Sequence, residues 1–157
     1  MRELSELNIN EGGTPVQRPA PTEEEIANFQ KHFSVSLPLE YLMLLKHSNG
    51  GHPELCSFIP KFQDESNRWG IDYFYHLNSE YDNILNLWKV TENWQPILGK
   101  TAIPIASDGG GNQIFLDTKD NPPSVYLCIH DQQFKKIYVA DSFSEFIDLL
   151  SIDPDMI

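Results

Sequence analysis

Five histidines, two cysteines and 23 carboxylates give this chain of 157 residues the raw material for acid–base, nucleophilic or metal chemistry. Their spacing does not arrange it. His32, His47, His52, His76 and His130 include no pair at the i, i+4 interval that sets two imidazoles on one helix face, and none stands beside a cysteine. No nucleophile elbow or metalloprotease pattern occurs. His76 and His130 could meet across a sheet, where a hydrogen-bonded structural histidine is the simpler reading. With so many carboxylates some pair falls within reach by chance, so pairing alone carries no signal. The expectation is a chain with no catalytic residues, no metal and no cofactor.

The run Asp108-Gly109-Gly110-Gly111-Asn112 invites comparison with a phosphate loop. It lacks the Lys-Ser/Thr that must follow, and a strand follows where a helix is needed to turn its positive end on an anion. As a hairpin connection it is well made: the glycines supply positive φ, and Asp108 and Asn112 can bond local backbone. It also leaves a bare backbone that a partner can approach closely. Bulky aromatics crowd Trp69, Tyr73, Phe74 and Tyr75, around Asp72. Tyr73 and Tyr75 share one face of a strand and Phe74 takes the other, so the segment is either covered on both sides or presents one side to something. Interfaces favour Trp and Tyr anchors, and beside Asp72 these would suit a cationic partner.

Eleven Lys+Arg against 23 Asp+Glu give 11 − 23 = −12. Nucleic-acid binding needs cations that release phosphate counterions, so this balance argues against a nucleic-acid ligand. It favours fast encounter with a basic partner, and serves plain solubility equally well. The first residues, Met1-Arg2-Glu3-Leu4-Ser5-Glu6-Leu7, lack the apolar run of a signal peptide, and no window nears the ~18 apolar residues that span a bilayer. Cys56 and Cys128, each in an apolar stretch, fit buried free thiols better than a disulfide framework. A cytoplasmic protein with no membrane contact is expected.

Behind these residues stand the elements that must place them. Residues 1–21, with Gly12-Gly13 and prolines at 15, 19 and 21, are expected to form a flexible arm, and 22–157 a single domain. Thr22 with Glu25 predicts a capping box, followed by the apolar stripe Ile26, Phe29, Phe33. Leu37-Pro38 opens a second helix carrying Tyr41, Leu42, Leu44 and Leu45, stopped at Ser48-Asn49-Gly50-Gly51, where Asn or Gly can take a left-handed C-cap. Strands are predicted over 55–59 and 70–77, then a helix over 79–94 capped by Asn78 or Ser79. Short strands at 102–106, 113–117, 125–130 and 136–140 have the spacing of an antiparallel meander. Ser142 and Glu145 open a last helix. The fold class is α+β, a mostly antiparallel central sheet flanked by helices.

Together these pieces resemble the SUKH superfamily. Thr22-x-x-Glu25-Ile26-x-x-Phe29, Leu37-Pro38-x-x-Tyr41 and Ser48-Asn49-Gly50-Gly51 are similar to its opening signature. The stretch from Ile103 to Asn112, Val125-Tyr126 and Ser142-Phe143-x-x-Phe146 are similar to its second half, so the likeness covers roughly residues 22–150. The resemblance implies a SUKH-like α+β binding scaffold; bacterial members are mostly immunity proteins that neutralise toxins, many of them nucleases or deaminases, and fungal members regulate cell-wall glucan synthesis. With the charge, it gives the leading expectation: a non-catalytic immunity protein that binds and occludes a basic, nuclease-like toxin domain through Trp69, Asp72, Tyr75, Asp108 and Asn112. A regulatory scaffold for cell-wall synthesis or signalling is the alternative. A small-ligand binder or enzyme would need a deep pocket of converging titratable groups.

Overall fold

In the computed structural model, residues 1–78 and 84–156 are described. Four helices and a five-stranded antiparallel sheet hold most of the core. Helix α1 (Glu23–Phe33) begins with both halves of the expected capping box: the Thr22 hydroxyl accepts from the Glu25 N–H at 3.1 Å, and the Glu25 carboxylate accepts from the Thr22 N–H at 3.0 Å. Helix α2 (Leu39–His47) follows, with Pro38 at the N-cap position and not inside the first turn. The apolar faces of both helices, Ile26, Phe29, Tyr41, Leu44 and Leu45, are buried. Helix α4 (Phe143–Leu149), whose first turn is held by the Ser142 hydroxyl accepting from the Glu145 N–H, adds Phe143, Phe146 and Ile147 to the same core.

Strands β5 (Tyr73–Phe74), β6 (Ala102–Ser107), β7 (Gln113–Asp117), β8 (Ser124–Ile129) and β9 (Lys135–Ala140) lie in sequence order, each antiparallel to its neighbour. The meander read from the turn signals is therefore the observed topology. One sheet face supplies Ile114, Leu116, Val125, Leu127, Ile129 and Val139 to the main core. The other face holds Phe115 opposite Tyr126, stacked with centroids 5.4 Å apart, and packs with Ala102, Cys128 and Leu98 in a second, smaller cluster. Helix α3 (Leu87–Leu98) lies along β6 and serves both: Leu87 and Val90 join the main core, Leu98 the smaller one.

Several expected boundaries move. The helix predicted over 79–94 starts instead at Leu87, because Asn86 caps it by accepting from the Trp88 N–H at 2.9 Å; residues 79–83 lie outside the described residues. It also continues past Trp94, through Pro96 in its last turn. The strand predicted over 70–77 is two short pieces. Strand β4 (Trp69–Gly70) pairs with β3 (Ser57–Phe58), whereas Tyr73–Phe74 joins the large sheet. Alternation fails across the step at Ile71-Asp72, and Tyr73, Phe74 and Tyr75 are all buried.

Residues 1–21 are packed against the body, which corrects the reading of a flexible arm. Leu7 is buried in the main core, and β1 (Asn10–Glu11) and β2 (Thr14–Pro15) form a small hairpin. Asn10 and His52 exchange both backbone hydrogen bonds, at 2.9 and 2.7 Å. Arg18, its side chain only 7% exposed, donates through its guanidinium to Asn49 O at 2.6 Å and to both Glu11 carboxylate oxygens at 2.9 and 3.0 Å. Gly51 makes the approach possible. It sits at φ +119°, and a Cβ there would fall 2.7 Å from Ile9 Cγ2 and 2.8 Å from Val16 Cγ2. The Asn-Gly-Gly signal thus seats the N-terminal segment, while α2 ends on Ser48 in extended conformation.

Candidate partner-binding site

The β6–β7 connection is a closed ring of hydrogen bonds. Asp108 Oδ1 accepts from the N–H groups of Gly110 at 2.8 Å and Asn112 at 3.0 Å, and its Oδ2 accepts from Asn112 Nδ2 at 2.7 Å. Asn112 Oδ1 accepts from the His130 N–H at 3.0 Å, tying this loop to the end of β8. His130 Nε2 lies 2.7 Å from Gly110 O, and because a carbonyl only accepts, that nitrogen carries the proton. Gly111, at φ +94°, leaves the imidazole its place: a Cβ would stand 2.9 Å from His130 Nε2. The loop is pre-organised, and Asp108 and Asn112 spend their side chains on making it so.

Asp72 stands against this loop. Its N–H donates to Ser107 O at 2.8 Å, and a Cβ on Gly109 would approach Asp72 Cβ to 3.3 Å. Its carbonyl accepts from His52 Nδ1 at 2.7 Å. The Asp72 carboxylate is exposed and enters no hydrogen bond or ion pair among the described residues. A solvated anion therefore sits on a fixed rim, next to the exposed backbone of Gly109, Gly110 and Gly111. That arrangement can attract and orient a cation.

Of the five residues singled out in the sequence, Asp72 and Asp108 come together on this rim, Asn112 is buried at its base holding the loop, and the other two do not join them. Tyr75 lies beneath it, 3% exposed, its hydroxyl donating to Gln113 Oε1 at 2.6 Å. Burial pushes its phenol up to about 12, against the opposing pull of the Gln113 hydrogen bond, so it is a neutral donor at physiological pH. It cannot serve as a surface anchor, which corrects that expectation. Trp69 belongs to the two-stranded sheet, opposite Phe58, and is half-buried against the main core.

The residues missed by sequence reasoning lie beside the rim, in a groove of about 530 Å³ lined by Asn8, Asn10, His52, Glu54, Cys56, Ile152 and Asp153. No local signal marks them, since three distant segments build the lining. Both cysteines are free thiols; Cys128 is buried, whereas Cys56 is half-buried and lines this groove. Burial first, then the Asp153 carboxylate, pushes the Cys56 thiol up, away from a reactive thiolate. Among the described residues no group of three or more His, Cys, Asp or Glu is placed to hold a metal ion. Nor is any helix there long and apolar enough to cross a membrane.

An acidic rim, with Asp108 holding its loop and Asp72 open to solvent, thus stands on an α+β scaffold. The chain belongs to the SMI1 / KNR4 family (SUKH-1), whose model matches residues 20–149. Membership places it among domains of the immunity and regulatory type, which are generally non-catalytic and act by binding protein. A comparison with curated proteins gives no match.

Proposed function

We propose that this protein is an immunity protein that binds a cognate basic toxin domain and occludes its active site, with the rim of Asp72 and the loop Asp108–Asn112 as the docking surface. The observation that carries this reading is the solvated Asp72 carboxylate fixed beside a bare glycine backbone. A toxin that acts on nucleic acid must present cations, and a net charge of −12 draws such a surface in from a distance. Complementary charge of this kind raises the association rate and excludes wrong partners. The protein acts in the cytoplasm, on protein and not on nucleic acid or membrane.

Co-expression of the tagged chain with the products of adjacent genes tests the proposal. Retention of one basic protein, enzymatically inactive while bound and released by salt, supports it. Recovery of cell-wall synthesis or signalling proteins instead would replace the toxin reading by a regulatory scaffold of the same family.

A further inference from the structure

The groove beside the rim has a construction that points to its ligand. Its floor is the segment from His52 to Cys56. One wall is the N-terminal segment, held by the Asn10–His52 backbone pair and by Glu54 N–H donating to Leu7 O at 2.8 Å. The other wall is the C-terminal segment, held by the reciprocal backbone bonds of Ser57 and Ser151 at 2.9 and 2.8 Å. Asn8, through its amide on the Glu54 carboxylate, fixes the rim of the first wall. Both walls lie outside the span that matches the family, 20–149: Asn8 and Asn10 precede it, Ile152 and Asp153 follow it.

The lining contains two carboxylates, Glu54 and Asp153, and no lysine or arginine. Ile152, 47% exposed, offers an apolar surface at the same place. An aliphatic stem ending in a cation satisfies both features, because the methylenes cover Ile152 while the charged head meets the Glu54 and Asp153 carboxylates. Each of these holds one local N–H, from Asn8 and Asp155 respectively, and keeps acceptor capacity for a cation. We infer that the groove receives a lysine or arginine side chain of the protein partner, and that its two walls determine which partner is accepted. This rests on the partner-binding reading above and adds a second contact to it, next to the Asp72 rim and joined to it through His52, which both lines the groove and bonds Asp72.

The test uses the full chain, labelled with nitrogen-15, titrated with a tetra-arginine peptide at moderate salt. The expected result is amide shifts concentrated at Asn10, His52, Glu54, Cys56 and Asp153. The double variant Glu54→Gln, Asp153→Asn should weaken the peptide about tenfold, the loss expected for charge-assisted hydrogen bonds. Ile152→Lys, a change at a solvent-facing position, should weaken it comparably, and Glu92→Gln on the outer side of α3 should not. Shifts spread over the acidic surface, or equal weakening by Glu92→Gln, would overturn the inference. The two readings also fail separately. A toxin partner whose affinity is untouched by the groove variants sinks the groove and leaves the immunity reading standing. Groove-centred peptide shifts, in a chain that binds no adjacent gene product, retain the cation site and remove the toxin.

Discussion

The side chain of Asn49 clasps the backbone of Leu77, Oδ1 accepting from its N–H at 2.7 Å and Nδ2 donating to its carbonyl at 3.0 Å, as a paired strand would. Nδ2 also donates to Pro19 O at 2.9 Å, so one buried amide joins the end of α2, the sheet edge and the N-terminal segment. Asn49→Ala leaves buried backbone groups without partners and should cost about 2–3 kcal/mol. Urea denaturation should show a lower midpoint at unchanged slope. A midpoint equal to wild type would mean that water replaces the amide.

Gly51→Ala tests how the N-terminal segment is seated. Positive φ alone penalises alanine by about 1–2 kcal/mol, and the added methyl meets Ile9 and Val16. The backbone amides of Asn10 and His52 should then exchange hydrogen faster, while those of β7 stay protected. Uniform exchange across both regions would indicate global loss of stability and not release of this segment.

Much of the fold was legible because its signals are local. The Thr22–Glu25 box, the stripe Ile26, Phe29 and the turn-bounded strands from Ala102 to Ala140 need only neighbours in sequence. What was missed depends on distant partners. Leu7 and Arg18 look like parts of a tail until Gly51, Asn49 and Glu11 are placed around them. The break between β4 and β5 is invisible to a periodicity that assumes one sheet, and so Tyr75 was placed at the surface. The candidate site divides likewise: a turn motif and a charged neighbour draw attention to Asp72, Asp108 and Asn112, whereas the groove joins Asn8, His52 and Asp153 from distant segments.

Tyr75→Phe checks the revised place of that residue. The variant loses one hydrogen bond to Gln113, about 1 kcal/mol of stability, and should associate with a partner as wild type does. A marked loss of affinity at unchanged stability would return Tyr75 to the interface.

The acid limb of stability should depend on Asp117. Burial raises its pKa, but the Thr101 hydroxyl at 2.6 Å, the Lys119 N–H at 3.1 Å and the Lys119 ammonium prevail and hold it below the usual carboxylate range. A depressed folded-state pKa contributes stability above the unfolded value and loses it as pH falls through the folded one, hence below about pH 4. Asp117→Asn should therefore lower the denaturation midpoint at neutral pH and flatten its decline in acid. An unchanged slope of stability against pH would remove Asp117 from that limb.

Stopped-flow association with the partner, across a series of salt concentrations, tests the docking surface most directly. With Asp72 on the contact rim, added salt should slow association steeply, and Asp72→Lys should lower the rate about tenfold at low salt while leaving the fold intact. A rate indifferent both to salt and to charge reversal at Asp72 would contradict the account and place the partner on another face of the molecule.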